Sequence, residues 1–328
     1  MFDAFVLAAG LGTRLRPLTL HRPKPLVPVG GVPMLDYALA HAHAHGAHRV
    51  LVNAHHLAEQ VVAWGAGREG VEVVVEHDIL GTGGGLAAQA LRLATPCLVL
   101  NADVLTDVDL TALRRAAPSG GAALALRRSE HAERYGIVAR DGEGVIARLA
   151  HVAEAPAVGS MSLDTHFTGL HALDPAVLGR VPTKGEACIV RTAYRELLPL
   201  RRLRGVVHGG LWLDVGDPAA YLDANLAVLR GTLPTALDPW TRAAAGTPSV
   251  GRFGDVPDAV GDGVWWGHGA TAGEGARVTH AVVGAGARLA PGTVLHRVVV
   301  WDGVAVPSGD WSDGVWHDGG FLPLGDPR

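Results

Sequence analysis

Lysine is almost missing from this chain. Of 28 basic residues among 328, only Lys24 and Lys184 are lysines, and the other 26 are arginines. Cysteine is equally scarce: Cys97 and Cys188 are too far apart for a metal-binding spacing or a disulfide framework, and both read as buried thiols in a reducing compartment. Excess positive charge is absent as well. A formal charge of −4 with no concentrated basic patch excludes nucleic acid and anionic membrane as partners, while a small anionic ligand stays open. No apolar run reaches the roughly 20 residues of a membrane helix, and the opening MFDAFVLAAG has neither a basic leader nor an apolar stretch long enough for a signal peptide. The expectation is therefore a soluble, cytoplasmic protein.

What is present is a core. An apolar fraction of 48% with 18% charged residues excludes disorder and a fibrous structure, and the length suggests two domains. Ala4 to Ala9, Val50 to Asn53, Val71 to Val75 and Cys97 to Asn101 read as strands. They alternate with helical patterns at Leu35 to His45, Leu57 to Trp64, Leu86 to Leu93 and Leu110 to Ala116. Such alternation predicts an α/β fold, a mostly parallel Rossmann-like sheet with helices on both faces. Pro33 suits a first helical turn, Asp217 and Pro218 an N-cap and N1 position, and Gly136 to Arg148 an inserted hairpin. This first domain is expected over residues 1–230, with a proline-punctuated linker over 231–257. Residues 258–309 then repeat glycine-rich hexads, among them Trp266-Gly-His-Gly, Ala272-Gly-Glu-Gly and Val283-Gly-Ala-Gly, with slips near Val278 and Leu295. In-phase apolar residues at that spacing predict a short C-terminal left-handed parallel β-helix of the hexapeptide-repeat type, followed by a tail over 310–328.

Chemistry concentrates where the first strand ends. Ala8-Ala9-Gly10-Leu11-Gly12-Thr13-Arg14 begins a glycine-rich loop, which lets backbone N–H groups approach phosphate oxygens because no Cβ blocks them. The loop is neither a dinucleotide fingerprint, since Leu15 stands where a third glycine would be needed, nor a Walker loop, which would need GK[ST]. It carries several cations and is stiffened by Pro17, Pro23, Pro25 and Pro28. Arg14 and Lys24 could clamp a triphosphate, whereas Arg16 and Arg22 read as surface charge. Lys24 is singled out by composition: a chain that uses arginine nearly everywhere has a lysine wedged between two prolines, as a site needing a compact ammonium would. Two strand-like runs end in carboxylates, Asp103 and Asp214, positioned to share Mg²⁺, an ion that takes one or two protein carboxylates and fills its shell with phosphate and water. Asp107 and Asp109 read as caps of the helix that follows.

Together these segments resemble the sugar-phosphate nucleotidyltransferases, or NDP-sugar pyrophosphorylases. The loop matches LxAGxGTRLxPLT…PKPL, and the likeness continues through Glu76 to Gly85, Asn101-Ala-Asp103, Phe167-Thr-Gly169 and Trp212-Leu-Asp214-Val-Gly216, covering about residues 2 to 230. The resemblance implies catalytic roles for Arg14, Lys24, Asp103 and Asp214. It implies a nucleotide site formed by Ala8, Ala9, Gly10, Gly12, Thr13, Arg14, Glu76, Leu80, Gly81, Thr82, Gly83 and Gly84, and Mg²⁺ held by Asp103 and Asp214. Gly136, Gly169 and Arg191 are expected near the sugar phosphate. The implied substrates are an NTP and a sugar-1-phosphate, best matched to GTP and mannose-1-phosphate. A uridylyltransferase acting on MurNAc-1-phosphate or glucose-1-phosphate is the alternative, since that branch shares the base loop. The sequence departs from the family at the Glu-Lys-Pro that often follows the hairpin, where His151-Val152-Ala153 stands instead. Arg148 or Arg191 could replace the missing lysine, or the chain could be a non-catalytic sugar-nucleotide-binding subunit. The repeat is too short for a separate acyl-transfer site, for which His268, His280 and His296 are the candidates, and is expected to pack against the first domain or to form a homo-oligomer contact.

Other features read as structural. His41, His43, His45 and His48 fit a solvated helix face better than a metal cluster, His55 and His56 fit structural roles, and the C-terminal tryptophans fit packing of a thin domain.

Overall fold

A computed structural model describes residues 2–93, 96–230 and 263–324. The expected linker lies outside the described residues. Contacts divide the chain into two compact units whose boundaries differ from the sequence-based division. The first comprises Met1–Gly10, Ala38–Ala102 and Thr106–Trp212, the second Leu11–Tyr37, Asp103–Leu105 and Leu213–Arg328.

The first unit is built on β1 (Phe2–Leu7), β2 (Ala47–Ala54), β3 (Val71–Val75), β4 (Cys97–Asn101), β5 (Ala122–Arg128), β6 (Thr165–Leu173) and β7 (Leu203–His208). Their order across the sheet is β7-β5-β6-β4-β1-β2-β3. All neighbours are parallel except β6, which runs antiparallel to both β4 and β5. Residues 97–100 of β4 are fully or almost fully buried, as expected for a strand covered on both faces. The core gathers Phe5, Leu51, Leu86, Val99, Leu124 and Leu197, each contributing about 1.5–3 kcal/mol by leaving water. Strand order reverses at β1, with β2 on one side and β4 on the other, and sheets of this kind take ligands beyond the carboxyl ends of the strands at such a point. Ala8 and Ala102 lie there, and the Ala102 amide donates to the Leu7 carbonyl at 3.1 Å.

The helices largely match the periodicity: α1 (Met34–Ala44), α2 (Ala58–Gly65), α3 (Gly81–Ala87), α4 (Leu110–Ala116) and α5 (Pro218–Leu229). Pro33 is not the first helical residue but pairs with Pro28 in a two-stranded ribbon just before α1. The exception among the helices is α3, expected at Leu86–Leu93, which begins five residues earlier in a run of glycines. Propensity disfavours such a helix. Packing imposes it, because a Cβ at Gly83 would lie 2.9 Å from the Ile189 nitrogen and one at Gly85 would lie 2.6 Å from Glu76 Oε1. The hairpin forms over Val138–Arg140 and Ile146–Leu149, and gains a third strand, Ala153–Glu154.

In the second unit, Asp217 caps α5 by accepting from the Ala220 amide at 2.9 Å. The same helix reaches the loop region, where Asn225 Oδ1 accepts from the Gly30 amide at 2.9 Å. C-terminal to it, short strands stack in parallel. Trp265 pairs with Val282 and Val282 with Val299, and Thr271 pairs with Arg288 and Arg288 with Ala305, each step advancing 17 residues. The spacing within a turn is six, six and five, as in the strand starts 265, 271, 277 and 282, with the shorter step at Val278, where the sequence slips. Val264, Trp266, Val283, Leu289, Leu295 and Val300 fill its interior. The segment from residue 310, set apart as a tail by the sequence, continues this region: Gly309–His317 pairs in parallel with Thr293–Val300, and Gly320–Pro323 returns antiparallel to it.

Candidate active site

The loop after β1 enters the second unit at Leu11 and folds on itself. Gly12 takes a left-handed φ of +62°, and an added Cβ would lie 3.0 Å from both Lys24 Cβ and Thr19 Cγ2. The backbone therefore passes against Lys24 as only glycine permits. Thr19 Oγ1 donates to the Gly12 carbonyl at 2.8 Å, and buried Leu15 and Leu18 anchor the loop. Lys24 opens a short turn, Lys24–Leu26, flanked by Pro23 and Pro25. Its side chain is largely buried, and its ammonium donates to Asp103 Oδ2. Arg14, by contrast, is exposed, and its guanidinium lies over Gly216, where a Cβ would be 3.0 Å from Nη1.

Asp103 and Asp214 come together because the strand that Asp103 precedes pairs with the strand that Asp214 ends: Val104–Thr106 runs beside Trp212–Asp214. The Val215 amide closes the pair by donating to the Asp103 carbonyl at 3.0 Å. Burial, then the negative charge of Asp103, pushes the Asp214 carboxyl above the usual carboxylate range, and Lys24 and Arg14 only partly offset this. The ammonium of Lys24 is thus bound to Asp103, and Asp214 feels it only as a partial offset to burial and to the neighbouring carboxylate. Among the described residues no group of three or more His, Cys, Asp or Glu is placed to hold a metal. A two-carboxylate site suits a cation that completes its shell with phosphate and water.

The expected nucleotide residues of the first unit cluster separately. Buried Glu76 accepts from Asn53 Nδ2 at 2.7 Å, and Asn53 Oδ1 accepts from the Ala8 amide at 2.7 Å. Asn53 thereby ties the end of β1 to Glu76, a role that sequence inspection missed because Asn53 matches no motif. A cleft of about 270 Å³ opens here, lined among others by Asn53, Val74, Glu76, His77, Leu80 and Gly85. The amides of Gly83 and Gly84 both donate to the Ala187 carbonyl, at 2.7 and 3.2 Å, and Thr82 Oγ1 accepts from the Ile189 amide at 3.2 Å. These groups hold the loop closed against residues 187–189. Ala9 is half-buried, while Gly10 and Thr13 are exposed.

Gly136 and Gly169 are close-packed: a Cβ would lie 2.7 Å from Ala150 Cβ at the first and 2.5 Å from Asn101 Nδ2 at the second. Arg191 is exposed within the irregular turn Val190–Tyr194. Arg148 leans toward the Ala150 carbonyl at 3.5 Å, and the departure His151-Val152-Ala153 leads into the third hairpin strand.

Several structural readings need correction. Arg22 is not free surface charge, because its guanidinium lies 4.3 Å above the Trp301 ring. His41 is buried rather than solvated, with Nε2 2.9 Å from the Val108 carbonyl; burial, then nearby His45, lowers its pKa to about 4. Asp109 caps α4 as expected, but Asp107 pairs with His208 at 3.0 Å instead. Cys97 is buried, while Cys188 is partly exposed.

Comparison with known proteins decides the family. A family model described as nucleotidyl transferase matches residues 3–231. The chain belongs to this family. It is a sugar-phosphate nucleotidyltransferase. It is 32% identical over 317 residues to a mannose-1-phosphate guanylyltransferase of Mycobacterium tuberculosis, covering 94% of this chain and 82% of that protein. It is 30% identical to the mannose-1-phosphate guanylyltransferase catalytic subunit beta of Drosophila melanogaster, over 67% of this chain and 60% of that protein. It is 25% identical to the bifunctional protein GlmU of Methanococcus vannielii, over 71% of this chain and 56% of that protein. The nucleotidyltransferase thus spans less than two thirds of the last two. The crystal structure of HddC from Yersinia pseudotuberculosis shares the fold, with a TM-score of 0.56 at 20% identity over 69% of this chain and 98% of that one. The family implies NTP and sugar-phosphate substrates and generally uses a divalent metal. Among the described residues, no helix of the nucleotidyltransferase is long and apolar enough to cross a membrane.

Proposed function

We propose that the enzyme transfers guanylyl from GTP to mannose-1-phosphate, giving GDP-mannose and pyrophosphate. The observation that carries this reading is the group Lys24, Asp103 and Asp214, in which the lysine of a phosphate-type loop donates to Asp103 and the Val215 amide bonds the segment of Asp214 to the Asp103 carbonyl. The choice of sugar and base rests on the 32% identity to the mycobacterial protein over most of both chains.

An oxygen of the sugar phosphate attacks the α-phosphorus of the triphosphate, a new P–O bond forms, and the bond to the β-phosphate oxygen breaks as pyrophosphate leaves. The attacking oxygen is already ionised at neutral pH, so no general base is needed. The barrier is repulsion among anions, which fixed cations relieve. Lys24 would leave Asp103 for a phosphate oxygen, and Arg14, held over Gly216, would neutralise the departing phosphates. Asp103 and Asp214 would hold Mg²⁺, which when bound supplies positive charge. Asn53, accepting from the Ala8 amide and donating to Glu76, holds the end of β1 and Glu76 together beside the cleft assigned to the nucleotide. Gly136, Gly169 and Arg191 serve the sugar phosphate in this reading, with Arg191 the cation in place of the missing lysine. The C-terminal strands read as a left-handed parallel β-helix, supported by the 17-residue register.

The test is pyrophosphate release by the purified chain with Mg²⁺, each of GTP, UTP, ATP and CTP, and a panel of sugar-1-phosphates. Turnover confined to GTP and mannose-1-phosphate supports the proposal. Preference for UTP with MurNAc-1-phosphate or glucose-1-phosphate moves it to the uridylyltransferase reading. Binding without release in any pair makes the chain a sugar-nucleotide-binding subunit.

A further inference from the structure

Arg22 and Trp301 are 279 positions apart, yet the Arg22 guanidinium sits 4.3 Å above the indole ring. Trp301 is 1% exposed, and its Nε1 donates to the Tyr221 hydroxyl at 3.0 Å, also fully buried. All three lie within the second unit. Arg22 precedes Lys24 by two residues, with Pro23 between them and Pro25 after, so a shift at Arg22 passes to Lys24 through a stretch with little torsional freedom. Tyr221 lies on α5, whose cap Asp217 follows Asp214 by three residues. One indole from the C-terminal strand region therefore touches the segment that carries Lys24 and the helix that follows Asp214. Asp302, next to it, is an exposed carboxylate that accepts from the Ala285 amide at 2.9 Å, and the positive charge of Arg22 favours its ionised form.

We propose that Trp301 is a positioning residue, by which the C-terminal strand region holds Arg22 and Tyr221 together and so sets Lys24 against Asp103 and Asp214. The catalytic consequence rests on the nucleotidyl transfer proposed above, whereas the geometric part does not. It gives the C-terminal region a duty toward the reaction without any ligand site of its own.

Lysine scarcity supplies a direct assay. With only two lysines, acylation of the full-length protein by N-hydroxysuccinimidyl acetate reports Lys24 against exposed Lys184 as internal reference, read by peptide mass spectrometry. Arg22→Ala and Tyr221→Phe, each altering the edge of the brace rather than the ring at its centre, are expected to raise Lys24 labelling relative to Lys184 by about threefold, while melting temperature stays within about 2 °C for Arg22→Ala. The same variants should lower kcat by about tenfold with little change in KM, as displaced but still bound reactants do. Trp301→Phe, which keeps a ring for Arg22 but loses the indole N–H, should fall between wild type and Trp301→Leu. An unchanged Lys24 to Lys184 ratio in both Arg22→Ala and Tyr221→Phe would overturn the brace. Raised labelling with kcat unchanged would overturn its catalytic consequence. Wild-type protein that turns over no substrate pair would refute the proposed reaction instead, and the labelling ratio would still decide the brace.

Discussion

The Val215 amide donates to the Asp103 carbonyl at 3.0 Å, and this bond fixes the residue after Asp214 against the backbone of the other carboxylate. The arrangement holds two negative groups together at a cost in stability. Because the Asp214 carboxyl is raised, by burial and then by Asp103, its contribution to stability is fully present below the unfolded carboxylate pKa and is lost as pH rises through the raised folded value. At neutral pH without metal, Asp214→Asn should therefore melt a few degrees higher than wild type, by roughly 2–4 °C. Its activity should fall by at least about a hundredfold. Thermal melts with and without Mg²⁺ check both halves: metal should raise the wild-type transition and leave that of the variant unmoved.

Lys24→Arg should lose most activity, about tenfold or more in kcat, because a guanidinium is larger and planar where a compact ammonium meets a single carboxylate oxygen. Arg16→Lys, at an exposed position of the same loop, should turn over normally. Pyrophosphate release by the two variants, measured side by side, separates a requirement for lysine from the general arginine habit of the chain.

Gly85→Ala would put a methyl group 2.6 Å from Glu76 Oε1 and 2.9 Å from Asn53 Nδ2. Breaking that pair releases the Ala8 amide, which Asn53 accepts. The expected result is a KM for the nucleotide raised about tenfold and a stability loss of about 1–3 kcal/mol, since buried polar groups lose partners. Initial-rate kinetics with the nucleotide varied, together with urea unfolding, would measure each.

Acid should unfold the protein through two buried histidines. Burial lowers His171 to about 3, and burial followed by His45 lowers His41 to about 4. A lowered folded pKa gives stability that is present above the unfolded value and lost as pH falls through the folded one. Between about pH 6 and pH 4 each histidine should remove up to about 1.4 kcal/mol per pH unit. His41→Gln should flatten that slope by about half, as followed by urea unfolding across the range.

Much of the site was readable because it is local. The loop Gly10 to Pro28 and the carboxylates near two strand ends are set by neighbours in sequence, and the roles proposed for them rest on the family resemblance. The strand–helix alternation was readable for the same reason, since α1, α2 and α4 show their buried faces as periodicity. What escaped depends on remote partners. The early start of α3 is imposed by the 187–189 segment and by Glu76, which no helix propensity encodes. Arg22 looked like solvent-facing charge because its aromatic partner is 279 positions away. Asp107 was assigned as a cap since it precedes a helix, but His208 reaches it from the end of β7. Asn53 carries no motif, and only its two 2.7 Å bonds identify it.

The reversal of the chain at His317 and Gly320 bears on how copies of this protein can meet. A stack of parallel coils presents at its last coil a template that a coil of another copy could extend indefinitely. Here Gly320–Pro323 runs antiparallel across that position, and Pro323 offers no N–H to a newcomer. Parallel growth of that one sheet is therefore blocked at Gly320–Pro323, and a variant with an extra coil inserted before residue 309 would need a block of 17 residues to keep the register.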